Sequence, residues 1–155
     1  MSVYYLDTSA LVKRYVREPG SKWVGTLADT AAGHTIVTVE ITRVEAAAAI
    51  AAKHRAPKGI TRLERDAAVS LFLNHCLTQY EIVPLAPSVF SQAISLTQNH
   101  NLRGYDAVQL SAALFANQLL LNRGMAGLIF IAADAYLLQA ASAENLPTDN
   151  PNLHP

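Results

Sequence analysis

Apolar residues fall into two kinds of stretch along this chain. Short, dense runs rich in β-branched and aromatic side chains occur at Val3 to Leu6, His34 to Thr38, Glu81 to Leu85 and Leu128 to Ala132. Runs of that kind between polar or turn residues predict buried strands. Pro84 cannot donate to a sheet ladder, so the third strand should end there or lie at an edge. Between the runs lie longer stretches where Ala and Leu dominate, as helices favour. The first opens after Asp7, with Thr8 or Ser9 as its cap. Others are predicted from Lys22 to about Ala32 behind a Ser21 cap and before Gly33, and from Val39 to Arg55 before Pro57 and Gly59. Thr61-Arg62-Leu63-Glu64 has the capping-box pattern and opens a helix to about Gln79. Three more run from Ser88 to Asn99, from Asp106 towards Leu121, and from Asp134 to about Ala143.

Strands alternating with helices predict an α/β fold, a parallel sheet covered on both faces. In such sheets ligands bind beyond the carboxyl ends of the strands. A length of 155 residues predicts a single domain, spanning residues 1–146, followed by a loose tail at 147–155 that carries Pro147, Pro151 and Pro155. Neither an internal repeat nor a low-complexity segment is present.

Composition changes this picture in three ways. With 51% hydrophobic and 15% charged residues, the chain is too apolar for disorder. Twelve basic and twelve acidic residues give zero formal charge, so the global basic signature of many nucleic-acid binders is missing, and a local basic patch or bound metal would have to replace it. The lone Cys76 rules out an internal disulfide, suits a reducing cytoplasm, and reads as a packed helical thiol. The opening residues lack the charged and apolar regions of a signal peptide, and no stretch is long enough to span a membrane. A cytoplasmic protein without a membrane partner is expected.

Candidate chemistry lies in four carboxylates set in apolar surroundings: Asp7 after Val3-Tyr4-Tyr5-Leu6, Glu45 before a run of alanines, Asp106 before Ala107-Val108, and Asp134 after Leu128 to Ala133. A buried, unpaired carboxylate costs several kcal/mol, and a cluster of them needs a cation. Asp7 and Asp134 each follow a strand, which puts them at one edge of the sheet. Either aspartate alone reads as a plain helix cap. Asp106 alone reads as a charge favoured by the helix dipole. Glu45 is not explained by capping, because the predicted helix places it in mid-helix, on a face shared with Ile41, Ala48, Ala49 and Ala52. Glu40 falls on another face, where Arg43 suggests a surface pair. Lys13, Arg14 and Arg17 follow Asp7 closely; they read as a solvated helix face or as a guide for phosphates. Gly20 to Gly25 has P-loop glycine spacing but lacks the Lys-Ser/Thr that must follow, and the five histidines show no ligand spacing.

Four segments, in order, resemble the PIN-domain family: Tyr4-Tyr5-Leu6-Asp7-Thr8-Ser9-Ala10-Leu11-Val12-Lys13, Thr42-Arg43-Val44-Glu45, Leu102 to Leu110, and Phe130 to Ala141. The resemblance implies a three-layer α/β/α sandwich around a parallel sheet of four to five strands, and a metal-dependent ribonuclease. It carries the family's acidic quartet onto Asp7, Glu45, Asp106 and Asp134, with Thr8 and Ser9 as supporting hydroxyls. Many members have Ser or Thr two residues before the fourth acid, where this chain has Ala132. Small members of this kind are often VapC-like toxins of toxin–antitoxin pairs, which implies a homodimer and a cognate antitoxin partner. Trp23, Phe72 and Phe90 are available for such contacts but read first as core.

The implied chemistry is hydrolysis of RNA phosphodiester bonds with Mg²⁺ or Mn²⁺ among Asp7, Asp106 and Glu45, Asp134 completing the shell, leaving 5′-phosphate and 3′-hydroxyl ends. Two alternatives stay open. An aspartyl-phosphate enzyme of the haloacid dehalogenase kind also starts from an Asp after the first strand, but it needs Asp-x-Asp where this chain has Ser9. A catalytically weak PIN-like module would bind RNA or protein without cutting.

Overall fold

The computed structural model describes residues 1–154. Five strands, β1 (Val3–Leu6), β2 (Thr35–Val39), β3 (Tyr80–Val83), β4 (Ile129–Ile131) and β5 (Thr148–Asp149), form one parallel sheet in the order β3-β2-β1-β4-β5. Among the described residues seven α-helices surround it: α1 (Thr8–Leu11), α2 (Ser21–Leu27), α3 (Thr42–Arg55), α4 (Arg62–Thr78), α5 (Pro87–Asn99), α6 (Gly104–Asn122) and α7 (Ala135–Ala143). The predicted parallel α/β/α sandwich is thus observed. Among the described residues no helix is long and apolar enough to cross a membrane.

The strict alternation of strand side chains sorts the core into two layers. Tyr5, Val37 and Phe130 face α5, α6 and α7, where they pack with Leu96, Leu110 and Leu137. Leu6, Ile36 and Ile131 face the other way, onto Leu11, Val24, Ile50 and Phe72. Both faces of each central strand are buried, which is why these runs read as continuously apolar.

The strand order places a switch point between β1 and β4. The chain winds from β1 outward to β2 and β3, then returns to add β4 and β5 on the other side. Leu6 and Ile131 are register partners, so the carboxyl ends of β1 and β4 lie side by side. Adjacent loops diverge at such a point and leave a crevice.

Several boundaries differ from expectation for physical reasons. The tail after residue 146 is not loose over its described part. Phe130 donates its N–H to the Pro147 carbonyl (2.8 Å), Thr148–Asp149 pairs beside β4, and Pro151–Leu153 forms a 3₁₀ turn. The helix expected behind a Ser21 cap instead includes Ser21, with Gly20 at its N-cap, and stops at Leu27, because Asp29 starts a separate 3₁₀ turn, Thr30–Ala32, by accepting the Ala31 N–H; Gly33 closes that turn at φ 69°. Helix α3 begins only at Thr42, after a turn over Glu40 and Ile41, so Glu45 sits in its first turn and not mid-helix. The Thr61–Glu64 capping box forms as predicted, and β3 both stops before Pro84 and lies at the sheet edge.

Candidate active site

Asp7, Glu45, Asp106 and Asp134 all line one open cleft of about 670 Å³ at the carboxyl ends of β1 and β4, together with Thr8, Ser9, Lys13, Glu18, Gln109 and Asn152. Each acid arrives on a different element. Asp7 terminates β1 and caps α1, its Oδ1 accepting the Ala10 N–H at 2.9 Å. Asp134 caps α7 by accepting the Leu137 N–H at 3.0 Å. Glu45 and Asp106 stand in the first turns of α3 and α6. The capping reading of the two aspartates is therefore correct as local structure, and the same caps aim them at the cleft. Thr8 and Ser9 lie within α1 and do not cap it.

None of the four acids has a Lys, Arg or His within ion-pair distance among the described residues. Burial pushes the Asp7 carboxyl up to about 7, even though the Ser9 and Ala10 hydrogen bonds pull it down, and the Asp106 charge adds to the rise. Glu45 is raised by burial against hydrogen bonds from Gln109 and Thr8, and Asp106 is raised by burial and by Asp134. Among the described residues no three Asp, Glu, His or Cys side chains already converge into a metal cage.

Ser9 and Thr8 tie the acids to the frame. The Ser9 hydroxyl donates to Asp7 Oδ1 (2.7 Å) and accepts the Ala133 N–H (2.9 Å). Ala132 is fully buried and offers no hydroxyl. The link between β4 and the acidic edge comes instead from Ser9 on the opposite strand end.

The basic run does not form one patch. A 3₁₀ turn over Val12–Arg14 advances about 120° per residue. Lys13 therefore enters the cleft, buried, and bonds Glu18 Oε2 at 3.0 Å. Arg14 points away, donating to Gln79 Oε1 (2.9 Å) and the Tyr80 hydroxyl (2.7 Å). Arg17 is exposed and does not line the cleft. The three side chains therefore lie in three different settings, and a single solvated helix face does not describe them. The expected Glu40–Arg43 pair is also absent, since Glu40 accepts the Leu85 N–H and Arg43 turns inward towards Cys76. Of the three aromatic residues read as core, Phe72 is fully buried, Trp23 stacks on His154 with ring centres 4.1 Å apart, and Phe90 is exposed.

Sequence reasoning did not single out Gln109, Glu18 or Asn152 for the cleft. Gln109 left a signal: it is the lone amide in an apolar stretch, three residues after Asp106 and so on the same helix face. Glu18 and Asn152 left none, because each reaches the cleft through a tertiary turn.

The PIN domain family model matches residues 4–124 of the sequence. This chain belongs to the PIN domain family. The matched span contains Asp7, Glu45 and Asp106 and stops short of Asp134. No curated protein matches the sequence significantly. Among solved structures, a chain of VapBC2 from Rickettsia felis bound to a DNA fragment from their promoter is similar, with a TM-score of 0.60 and 16% identity over 96% of this PIN domain chain and 98% of that one. A chain of a toxin-antitoxin complex from Klebsiella pneumoniae gives a TM-score of 0.51 and 16% identity over 84% of this chain and 86% of that one. At such identity the likeness is one of fold.

Proposed function

We propose that this PIN domain is an endoribonuclease dependent on Mg²⁺ or Mn²⁺, and that it is the toxin of a toxin–antitoxin pair. The observation that carries the proposal is the cleft itself: four carboxylates from four elements, at the sheet's switch point, with no cationic side chain paired to any of them. An oxygen-only donor set suits a hard divalent ion. Asp7, Asp106 and Glu45 are the residues that would hold it, with Asp134 at the open rim. A cation there supplies Lewis acidity to a phosphodiester and its attacking water.

The chain's own residues do the rest. Ser9 and the start of α1 fix the Asp7 carboxylate, and burial raises it to about 7, so that it gives up its proton readily when opposite charge arrives. Glu45 accepts hydrogen bonds from Gln109 and Thr8. Lys13, held at the cleft wall by Glu18, supplies positive charge for a phosphate group, with Arg14 and Arg17 outside the cleft as further candidates for RNA contact. The toxin assignment is supported by the fold shared with chains of VapBC2 and of the Klebsiella complex. It carries with it a cognate antitoxin, a homodimer and a cytoplasmic RNA target.

The test is cleavage of a mixed RNA pool by wild type and by Asp7→Asn, with Mn²⁺, Mg²⁺ or EDTA. Metal-dependent cutting that leaves 5′-phosphate ends and is lost in the variant is expected. Cutting in EDTA, or 2′,3′-cyclic phosphate ends, would sink the mechanism. Growth arrest on expression, relieved by Asp7→Asn, tests the toxin assignment separately.

A further inference from the structure

Gln109 lies on α6, one turn past Asp106, and is 1% exposed. Its side chain joins four elements. The Oε1 atom accepts the Tyr5 hydroxyl of β1 at 2.8 Å, and Nε2 lies 2.9 Å from Glu45 Oε1, 2.9 Å from Thr42 Oγ1 and 3.0 Å from Thr8 Oγ1. An amide nitrogen has two hydrogens, and a carboxylate oxygen is the strongest acceptor of the three.

The orientation of this amide is fixed from behind. Tyr5 is fully buried, and its hydroxyl donates to Gln109 Oε1. It demands an acceptor, which only Oε1 can be. With the amide reversed, its oxygen would face the Glu45 carboxylate and its hydrogens would face the phenol.

We infer that Gln109 is a positioning residue, pinned by Tyr5, that sets the orientation of the Glu45 carboxylate on the cleft wall. The inference rests on the metal-site reading given under Proposed function. Gln109 acts through Glu45. Contacts of this kind commonly set metal affinity by about 10–100-fold.

Mn²⁺ affinity by calorimetry, thermal melting and crystal structures of the variants test it together. Gln109→Met keeps the length and apolar bulk of the side chain but removes the amide. It should weaken Mn²⁺ binding by about 10–100-fold, with Glu45 turned from its wild-type orientation. Thr42→Val is the structural control: it removes another contact of the same amide, and should lower the melting temperature while leaving Mn²⁺ affinity as in wild type. Unchanged affinity in folded Gln109→Met overturns the inference, as does an equal loss in Thr42→Val. If Gln109→Met does not fold, Tyr5→Phe decides, since it frees the amide to reverse: weaker Mn²⁺ binding supports the role and wild-type binding overturns it. If wild type itself binds no Mn²⁺, the metal-site reading fails, and the position of Glu45 in the variant crystals alone decides the inference.

Discussion

The Ser9 hydroxyl donates to Asp7 at 2.7 Å and, through its second contact with the Ala133 N–H at 2.9 Å, joins the carboxyl ends of β1 and β4. Across the sheet's switch point, one side chain thus braces both strands that carry an acid. Ser9→Ala should strip a donor from a buried carboxylate and leave the Ala133 N–H without its partner. The expected cost is about 1–3 kcal/mol of unfolding free energy, read by urea denaturation. Ser9→Thr, which keeps the hydroxyl, should recover most of it. Equal losses in both variants would mean that the bridge contributes nothing.

Asp7 predicts an unusual pH dependence for the metal-free protein. Its folded value of about 7 lies above the ordinary 3.8. Between those values the folded chain holds a proton that the unfolded chain has released. This contribution to stability is fully present below about pH 4 and is lost as pH rises towards 7, on the order of a few kcal/mol in total. Glu45 and Asp106 are raised as well and act with the same sign. Glu18 acts oppositely: burial raises it, but hydrogen bonds from Lys53 and Lys13 prevail and hold it below the ordinary 4.5, so its contribution fades in acid. The metal-free chain should therefore melt at a higher temperature at pH 5.5 than at pH 8. Asp7→Asn should flatten that difference and exceed wild type in melting temperature at pH 8, because asparagine keeps the cap to Ala10 without the charge. A wild-type melting temperature that climbs from pH 5.5 to 8 would refute this account.

Glu18 sits between two lysines of very different exposure. Its Oε2 meets Lys13 at 3.0 Å, where the lysine side chain is 4% exposed, and its Oε1 meets Lys53 at 2.7 Å, where the lysine is 46% exposed. Removing Glu18 strands a buried ammonium, whereas removing Lys53 strands nothing buried. Glu18→Gln should cost about 3–5 kcal/mol, and Lys53→Met no more than about 1 kcal/mol. Chemical denaturation of the two variants in the same buffer checks the contrast, and equal losses would contradict it.

The parts of this protein legible in its sequence are those fixed by local chemistry. The runs ending at Leu6 and Ile131 are apolar because both sheet faces are covered, and each leads into an acid that caps the next helix. Strand, turn and acid are therefore encoded within a few residues. Other features depend on distant partners. Thr148–Asp149 has no strand signature of its own and is recruited by the open edge of β4. The start of α3 carries no capping side chain, since Ile41 occupies the N-cap, so nothing local separates Glu45 from the middle of a longer helix. Lys13 and Arg14 are neighbours in sequence, yet the 3₁₀ turn directs one to Glu18 and the other to Tyr80. Gln109 could be noticed as a polar residue in an apolar helix, but its partners Tyr5, Thr8 and Glu45 are 64 to 104 residues away.

The C-terminal segment is fastened to the rest of the chain at Gly20, which leads to a last prediction. Gly20 has φ +84°, and a Cβ there would run into the carbonyl of Pro151. Both the left-handed backbone and the close approach call for glycine. From this point the segment runs on to Asn152, at the cleft, and to His154, stacked on Trp23 and bonded to Asp149 at 2.9 Å. Gly20→Ala should cost at least about 1–2 kcal/mol from the backbone alone, and its damage should be localised. The Phe130 and Ala132 N–H groups donate to the carbonyls of Pro147 and Asp149. Hydrogen exchange at these two amides should accelerate in the variant, while the Asp7 amide, bonded to Ile131 on the inner side of β4, keeps its protection. Uniform loss of protection at all three would show that the segment unfolds only with the whole domain, and that Gly20 serves general stability and not this attachment.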